Sequence, residues 1–416
     1  MKKIILILCT PLFLFSQEKL ETTRSYKNQF QWNTNLLFES NSLDKGFLNT
    51  MLYGGYITDS MKTKWINSGG DNNILYSEIS NGLSYTYNFN KHSIGFRFAD
   101  RNILNASFTD DLLRLGFEGN FHHQDKTLDF GGTSIRADRF QQYTFTYGTE
   151  VKAVKMSTSL SYLAGNHHLS YIIEKGSLYT APFGTSLDIA YDMSAFVTDT
   201  ASLSPLVHNG NGLALGLSTD FQYKEHDIHL SFSDLGFIMW SPESITLATD
   251  SNFNFSGIEI EDIFSFNDSL LEVNNPKDDL PSTKKSAFKS YIPATFHLSI
   301  SGSGDYKHLK NYTLGVQGKW QPYSDNTPLS FAKIGQGFKE SNFATLYYIQ
   351  SVFNSKYCDV IPTLSHGGYS ANTNLGLALS RGKKHNFTVG TYHLENVLNK
   401  KKAKAISVYF NIKLQF

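Results

Sequence analysis

The sequence predicts an all-β protein: a transmembrane antiparallel β-barrel of about 14 strands, within roughly 12 to 16. Three observations carry this. The chain ends on "AISVYFNIKLQF", where Ile406, Val408, Phe410, Ile412, Leu414 and Phe416 alternate with Ser407, Tyr409, Asn411, Lys413 and Gln415. Side chains of a strand alternate with period 2, so one face is apolar and the other mostly polar, a division that a helix would scramble. Aromatic residues make up 14% of the chain, with 32 Phe and 23 Tyr against 4 Trp, which suits strands with interfacial girdles. Beyond the first residues no apolar run reaches the length of about 18 that a spanning helix requires.

Taken in order, residues 1–16 read as a secretory signal peptide: Met1, Lys2 and Lys3 form a short region made basic by its two lysines, Ile4 to Phe15 is an apolar stretch too short to span, and Ser16 precedes the expected cleavage point. Cys9 leaves with this segment. Cys358 then stands alone, so neither a disulfide framework nor a thiolate metal cluster is expected, and it reads as a small residue within a strand. Residues 17–80 read as an irregular N-terminal segment with a turn at "WINSGGDNN", a candidate plug for the lumen. Residues 81–416 read as the barrel.

Within the barrel, strands are expected at 81–90, 92–100 and 112–120, then at Tyr143–Tyr147, Val154–Tyr162, Leu187–Met193 and Leu213–Tyr223. Later ones are expected at 226–236, 293–304, 310–321, 343–353, 357–366, 372–381, 385–394 and 404–416. If the last strand descends to the periplasm, the connections at 224–225, 305–309, 354–356 and 382–384 fall on the periplasmic side, and all are short. Those at 198–211, 237–292, 322–342 and 395–403 fall outside and are longer, the asymmetry of outer-membrane barrels. In the long loop 237–292, "IEIEDIFSFNDSLLEV" spaces Ile260, Ile263, Phe264, Leu270 and Leu271 as a short amphipathic helix. Two readings stand for it, a lid or plug over the lumen and a packed surface loop.

At "HLSFSDLGFIMW", from His229, the chain resembles a Bacteroidota family of outer-membrane β-barrel proteins of unknown function. "LLRLGFEGN" from Leu112, "SLSYLAGN" from Ser159, "YIPATFHLSISGSGDY" from Tyr291 and "NTNLGLALSRGKKHNFTVGTYHLENVL" from Asn372 resemble the same family in the same order. The resemblance implies an outer-membrane barrel and marks no catalytic site. More distantly the family is similar to fatty-acid-channel barrels and to barrels that partner the gliding and type IX secretion machinery. The tail also resembles the assembly signal read by the barrel-insertion machinery, which implies that role for Tyr409, Leu414 and Phe416; Asn411 stands where that signal usually has glycine.

Few residues point to chemistry. No nucleophile elbow, zinc-protease helix, phosphate loop or dinucleotide fingerprint occurs, and "GNGLALG" from Gly210 has the wrong spacing and opens a strand. His122-His123 and His167-His168 are adjacent pairs whose members point to opposite faces of a strand, so they read as solvated loop histidines rather than metal ligands. "HGG" at His366 reads as a turn. Asp110-Asp111 and Asp278-Asp279 lack the further spaced oxygens of a calcium loop and read as solvated charge. "KKSAFK" at Lys284 and "NKKKAK" at Asn399 are basic clusters able to meet lipopolysaccharide phosphates, or plain solvated loops. Asp59-Ser60-Met61, Asp199-Thr200-Ala201 and Asp268-Ser269-Leu270 fit a short O-glycosylation pattern. With 37 basic and 37 acidic residues, no net field attracts nucleic acid.

The expectation is therefore an outer-membrane barrel without cofactor, metal or enzymatic activity. Its expected partners are outer-membrane lipid and lipopolysaccharide, the insertion machinery during assembly, and other envelope proteins. The preferred function is a structural or accessory subunit of an envelope complex; the alternative is a passive channel for small or apolar ligands.

Overall fold

The computed structural model describes residues 26–43, 45–70, 72–199, 204, 206–255, 284–303, 309–321, 343–382, 384–395 and 404–416. In chain order its strands are β1 (Asn28–Ser40), β2 (Asn73–Phe89), β3 (His92–Phe108), β4 (Lys126–Asp129), β5 (Thr133–Val151), β6 (Val154–Thr180), β7 (Leu187–Val197), β8 (Gly210–Tyr223), β9 (His226–Trp240) and β10 (Ile245–Phe255). They continue as β11 (Lys284–Lys285), β12 (Lys289–Tyr291), β13 (Ala294–Ser303), β14 (Leu309–Trp320), β15 (Phe343–Asn354), β16 (Asp359–Gly367), β17 (Asn372–Arg381), β18 (His385–Thr391) and β19 (Ala405–Gln415). The helices are α1 (Lys45–Tyr53), α2 (Asp59–Ser68) and α3 (Asp110–Glu118).

Antiparallel pairing runs β1-β2-β3-β5-β6-β8-β9-β13-β14-β15-β16-β17-β18-β19 and returns from β19 to β1, a closed ring of 14 strands. Closure leaves no sheet edge facing lipid, where an unpaired backbone group would find no water. The outward face is the apolar one: Leu83, Phe96, Phe98, Tyr143, Phe145, Leu213, Leu215, Leu217, Leu375 and Leu379 are all exposed. In a soluble protein such a surface would be an aggregation site; around a closed barrel it is the belt that meets hydrocarbon.

The two ends differ. At one, β2–β3, β5–β6 and β8–β9 are joined by two-residue turns whose first residues, Asn90, Lys152 and Lys224, have φ of 53, 58 and 55°. Such turns match the right-handed twist of the flanking strands. Gly382, with φ of 111°, begins the β17–β18 connection at this end, where a side chain would collide with the His385 carbonyl. Both described termini lie here too, since Asn28 and Phe416 exchange backbone hydrogen bonds. At the other end the connections are long, except residues 368–371. We call these the turn end and the loop end.

Several elements depart from the sequence reading. Residues 112–120, expected as a strand, belong to α3: Thr109 caps its N-terminus, Asp110 and Asp111 occupy the first turn, where the helix dipole favours anions, and Gly119 stops it at φ 75°. Leu187–Met193 is a strand, β7, but outside the ring. There β6 continues beyond its pairing with β8 and, with β4, β7, β10 and β11, builds an additional sheet at the loop end. The segment expected to be irregular, 17–80, supplies β1, two helices and the start of β2. Its strand was missed because "NQFQWNTNLLFES" carries polar residues on both faces. The expected count of about 14 thus matches through compensation.

From residue 26 on, the N-terminal segment does not fill the lumen. The helices pack on the outside: Phe47, Leu48, Trp65, Ile66 and Leu113 bury against Ala106 and Phe108, with Phe38, Leu75, Ile135 and Ile406 alongside, a collar against the loop end of the wall. Cys358 lies in the β15–β16 turn, its N–H on Ser355 Oγ at 3.2 Å, rather than within a strand. The signal segment 1–16, the amphipathic stretch at Ile260–Leu271, Asp278-Asp279, Asp268-Ser269-Leu270 and the basic cluster from Asn399 to Lys402 lie outside the described residues.

Two glycines fix the spacing of the wall. A Cβ on Gly315 would stand 2.2 Å from the Tyr348 ring, and one on Gly390 2.6 Å from Tyr409, so each tyrosine lies flat over bare backbone. Gly315→Val should lift Tyr348 off the sheet and break its hydroxyl bond to His297 Nε2, 2.9 Å long. Overpacking of this kind costs roughly 1–3 kcal/mol. The check is the urea midpoint of the folded barrel in micelles, which should fall; an unchanged midpoint would show that the ring moves freely.

Candidate functional site

A barrel lumen with polar inward residues would be a water channel, but the inward faces here change character along the axis. Toward the loop end they turn apolar. Leu37, Ile74, Tyr76, Ile103, Phe140, Leu163, Ala214, Ile238, Trp240, Phe288, Ile292, Ala344 and Tyr369 form one buried cluster drawn from β1, β2, β3, β5, β6, β8, β9, β15 and three of the connections. Tyr76 stacks on Tyr369, from the β16–β17 connection, with centroids 4.1 Å apart. The mouth on this side is therefore a packed core.

Against this core sits a network of buried charges. Arg101 Nη2 bonds Glu78 Oε1 at 2.8 Å, and its Nη1 bonds Asp234 Oδ2 at 2.8 Å. Gln142 donates to Asp234 Oδ1 at 2.8 Å, and Lys319 donates to both Glu78 and the Tyr76 hydroxyl. Arg101 is 5% exposed and Lys319 3%, so these charges are tolerable only because each is paired and hydrogen-bonded. Asp234 reaches the network through a bulge: β8 and β9 slip register between Leu215 and Leu217, and Asp234 takes φ 60°. A bulge re-aims a side chain in this way. The stretch "HLSFSDLGFIMW", on which the family resemblance was read, contains this bulge.

The network also reports the shape of the ring. From β2 to β14 there are seven strand steps in either direction, so Glu78 and Lys319 come from opposite walls. A circular barrel of this size, with strands about 4.8 Å apart and tilted about 40°, would hold opposite backbones about 28 Å apart. A lysine and a glutamate stretched toward each other span only roughly 13 Å, given their bond lengths. The walls are therefore drawn together at this level, and the cross-section is flattened.

Below the network the lumen widens. Along β1 the inward residues pass from Glu39 and Leu37, buried, to Asn35, Asn33 and Gln31, half-buried; along β19 they pass from Ser407 and Tyr409 to Asn411, Lys413 and Gln415 in the same way. A cavity of about 100 Å³ lies beneath Glu78 and Lys319 and is lined by Asn33, Asn35, Arg97, Asn374, Tyr392 and Asn411, among others. Its wall carries a cross-strand polar pair, Asn411 Nδ2 to Asn33 Oδ1 at 2.7 Å, and elsewhere on the inward face Thr144 Oγ1 meets Ser161 Oγ at 2.9 Å. The lumen is thus a vestibule, closed at the loop end and wet toward the turn end.

Nearer the loop end, Asp138 Oδ1 bonds His168 Nδ1 at 2.7 Å, and His168 Nε2 meets Ser170 Oγ at 3.1 Å. The order of contacts is that of a hydrolytic triad, but the setting is not. Ser170 lies two residues from His168 on the same strand, the three are 2–3% exposed, and Asp138 Oδ2 is held by Arg136 at 2.9 Å and Gln321 at 3.2 Å. No substrate carbonyl can approach such a serine. The cluster braces β5 and β6, and Arg136 extends the brace to the Tyr291 carbonyl at 2.6 Å.

The residues singled out from sequence fall as follows. Tyr409 points into the vestibule, stacked on Tyr392 at 4.5 Å, whereas Leu414 and Phe416 belong to the outward face. His122 and His123 lie in a turn of the α3–β4 connection, His122 exposed as expected, whereas His167 and His168 stand within β6 rather than in a loop. His168 is buried in β6 because the Asp138 partner compensates its desolvation, His167 meets the Ser204 carbonyl, and His123 pairs with Glu118. Asp110 and Asp111 accept from Asn73 Nδ2 and the Asp129 N–H at 2.8 and 2.9 Å, so they fasten α3 rather than float in solvent. His366 ends β16 at a turn through Gly367 and Gly368, as read. No group of three or more metal-binding side chains is assembled among the described residues.

Several solved structures are similar in fold. The Ralstonia pickettii toluene transporter TbuX is 8% identical, over 94% of this chain and 90% of its own, with TM-score 0.44. The Pseudomonas putida toluene transporter TodX is 6% identical, over 95% and 91%, at 0.42. A Pseudomonas aeruginosa FadL homologue is 8% identical, over 93% and 89%, at 0.43. No curated protein matches the chain. A family model does match, across residues 25–414 and so over the whole ring, and the chain accordingly belongs to the family of unknown function DUF5723.

Proposed function

We propose that this protein is an outer-membrane barrel shut on its external side, serving as a non-enzymatic structural or accessory subunit of an envelope complex. The observation that carries the reading is the packed core at the loop end of the lumen, with the ion pairs of Glu78, Arg101, Asp234 and Lys319 across it. In outer-membrane barrels short turns face the periplasm and long loops the exterior, so the vestibule opens inward. The apolar belt supports a place among outer-membrane lipids, with lipopolysaccharide beside the outer rim. In planar bilayers the purified full chain should give no steady open-channel current, and gentle extraction from the native membrane should bring stoichiometric envelope proteins with it. A large resting conductance and a barrel that purifies alone would together overturn the reading.

One observation favours a second reading, a passive channel for small ligands: the cavity beneath the network continues into a polar vestibule open toward the turn end. Ligand uptake by barrel-loaded liposomes, absent from empty ones, would move the conclusion there.

A further inference from the structure

The additional sheet at the loop end carries an aromatic knob. β6 and β7 meet in a tight turn, Pro182–Gly184, where Phe183 is 87% exposed; beside it, after α3, Phe121 is 60% exposed. A phenylalanine in water at a loop tip is ordinary by itself. This one also has φ 60° and ψ 14°, a left-handed conformation that costs a bulky side chain about 1–2 kcal/mol and that glycine would adopt freely. The next residue, Gly184, shares that conformation, so the chain had glycine to use and spends an aromatic at the strained position.

The surroundings hold the two rings together. The Gln124 side chain accepts from the Phe183 N–H and donates to the Phe121 carbonyl at 2.9 Å, so one amide clamps both backbones. Asp125 follows with φ 59°, its N–H on the Thr180 carbonyl at 2.8 Å and its carboxylate on the Tyr179 hydroxyl at 3.2 Å. Strain fixed by several bonds around an exposed group is the pattern of a functional contact.

We infer that Phe121 and Phe183 are a paired anchor that inserts into an apolar pocket of a different protein at the cell surface. Lipid does not fit, because β6 runs from Leu169 to Thr180 along β7 beyond its pairing with β8, about 35–40 Å of strand that carries the tip away from the belt. A second copy does not fit either. About a two-fold axis the knob would meet its own convex copy, burying about 300 Å² of ring at most, while a stable homodimer buries about 1,000 Å² or more per partner; a pocket on another protein adds its walls to the contact. An anchor of this size holds only when a partner wraps it. The inference rests on the accessory-subunit reading and names its contact.

The test is photo-crosslinking in living cells, with a benzophenone side chain installed in place of Phe183, or in place of Tyr56 as an equally exposed control. Phe183 should give one adduct of discrete mass, reduced about tenfold when the same chain carries Phe121→Ser, with the amount of folded barrel unchanged; Tyr56 should give none. No adduct, a lipopolysaccharide ladder, an adduct of twice the barrel's mass, or one insensitive to Phe121→Ser would overturn the inference. Envelope proteins that still copurify with a Phe121→Ser/Phe183→Ser barrel would overturn the knob and leave the accessory reading standing. A wild-type barrel that purifies alone would remove both.

Discussion

Replacing Arg101 with methionine should both weaken the barrel and unlatch its lumen. The guanidinium bonds both Glu78 and Asp234, from β2 and β9. Without it, Asp234 keeps the Gln142 amide and the nearby charge of Arg97, and Glu78 keeps Lys319, but the direct ion pairs that tie the two carboxylates together are lost. Breaking one side of a buried pair typically costs about 3–5 kcal/mol, of which the remaining cations offset a part. The walls are drawn in at this level, so repulsion between Glu78 and Asp234 should let them part. The urea midpoint should drop, and bilayers should show intermittent openings absent from wild type. Arg101→Lys keeps the charge but not the two-armed fork, so it should fall between the two. A silent Arg101→Met barrel of native stability would mean that the apolar core closes the mouth unaided.

Deleting Phe416 should lower the amount of barrel in the membrane several-fold. Asn28 donates to the Phe416 carbonyl at 3.2 Å, and Phe416 returns a bond to the Asn28 carbonyl at 2.9 Å, so the last residue fastens the seam between β1 and β19. Its ring is 58% exposed at the lower rim, within reach of His385 at 5.6 Å, and the resemblance of the tail to an assembly signal gives it a second task. The measurement is the fraction of chain in washed membranes that migrates as compact barrel without heating. Phe416→Ile keeps the backbone bonds and separates recognition of the aromatic from closure of the seam. Normal insertion of the truncated chain would remove the assigned role.

The wall was legible from sequence because lipid on one side and water on the other impose a strict period of two. From Leu213 to Leu217 and from Ile406 to Phe416 the alternation alone gives the strand, its faces and its side in the membrane. The mouth was not legible, for the same reason. Where β5 and β6 leave the hydrocarbon zone, Phe140 and Leu163 put apolar groups on the inward face, so the pattern that identifies a membrane strand fades where the core begins. Residues 112–120 were misread because "LLRLGFE" carries enough apolar residues for either element; the Thr109 cap and the acidic first turn decide it. The charge network leaves no local signature, since Glu78, Arg101, Asp234 and Lys319 meet only through the ring. Asp234 stands in sequence as one charge inside an otherwise ordinary strand, and the bulge that turns it inward shows only in the structure.

The register of β1 against β19 sets a condition on how the molecule is made. The first described strand of the chain and the last are partners, from Gln29 opposite Gln415 to Glu39 opposite Ala405. No sealed wall can exist until β19 has met β1, and until then two long rows of unbonded amides await each other. Each is an open strand edge, free to pair with any other exposed strand.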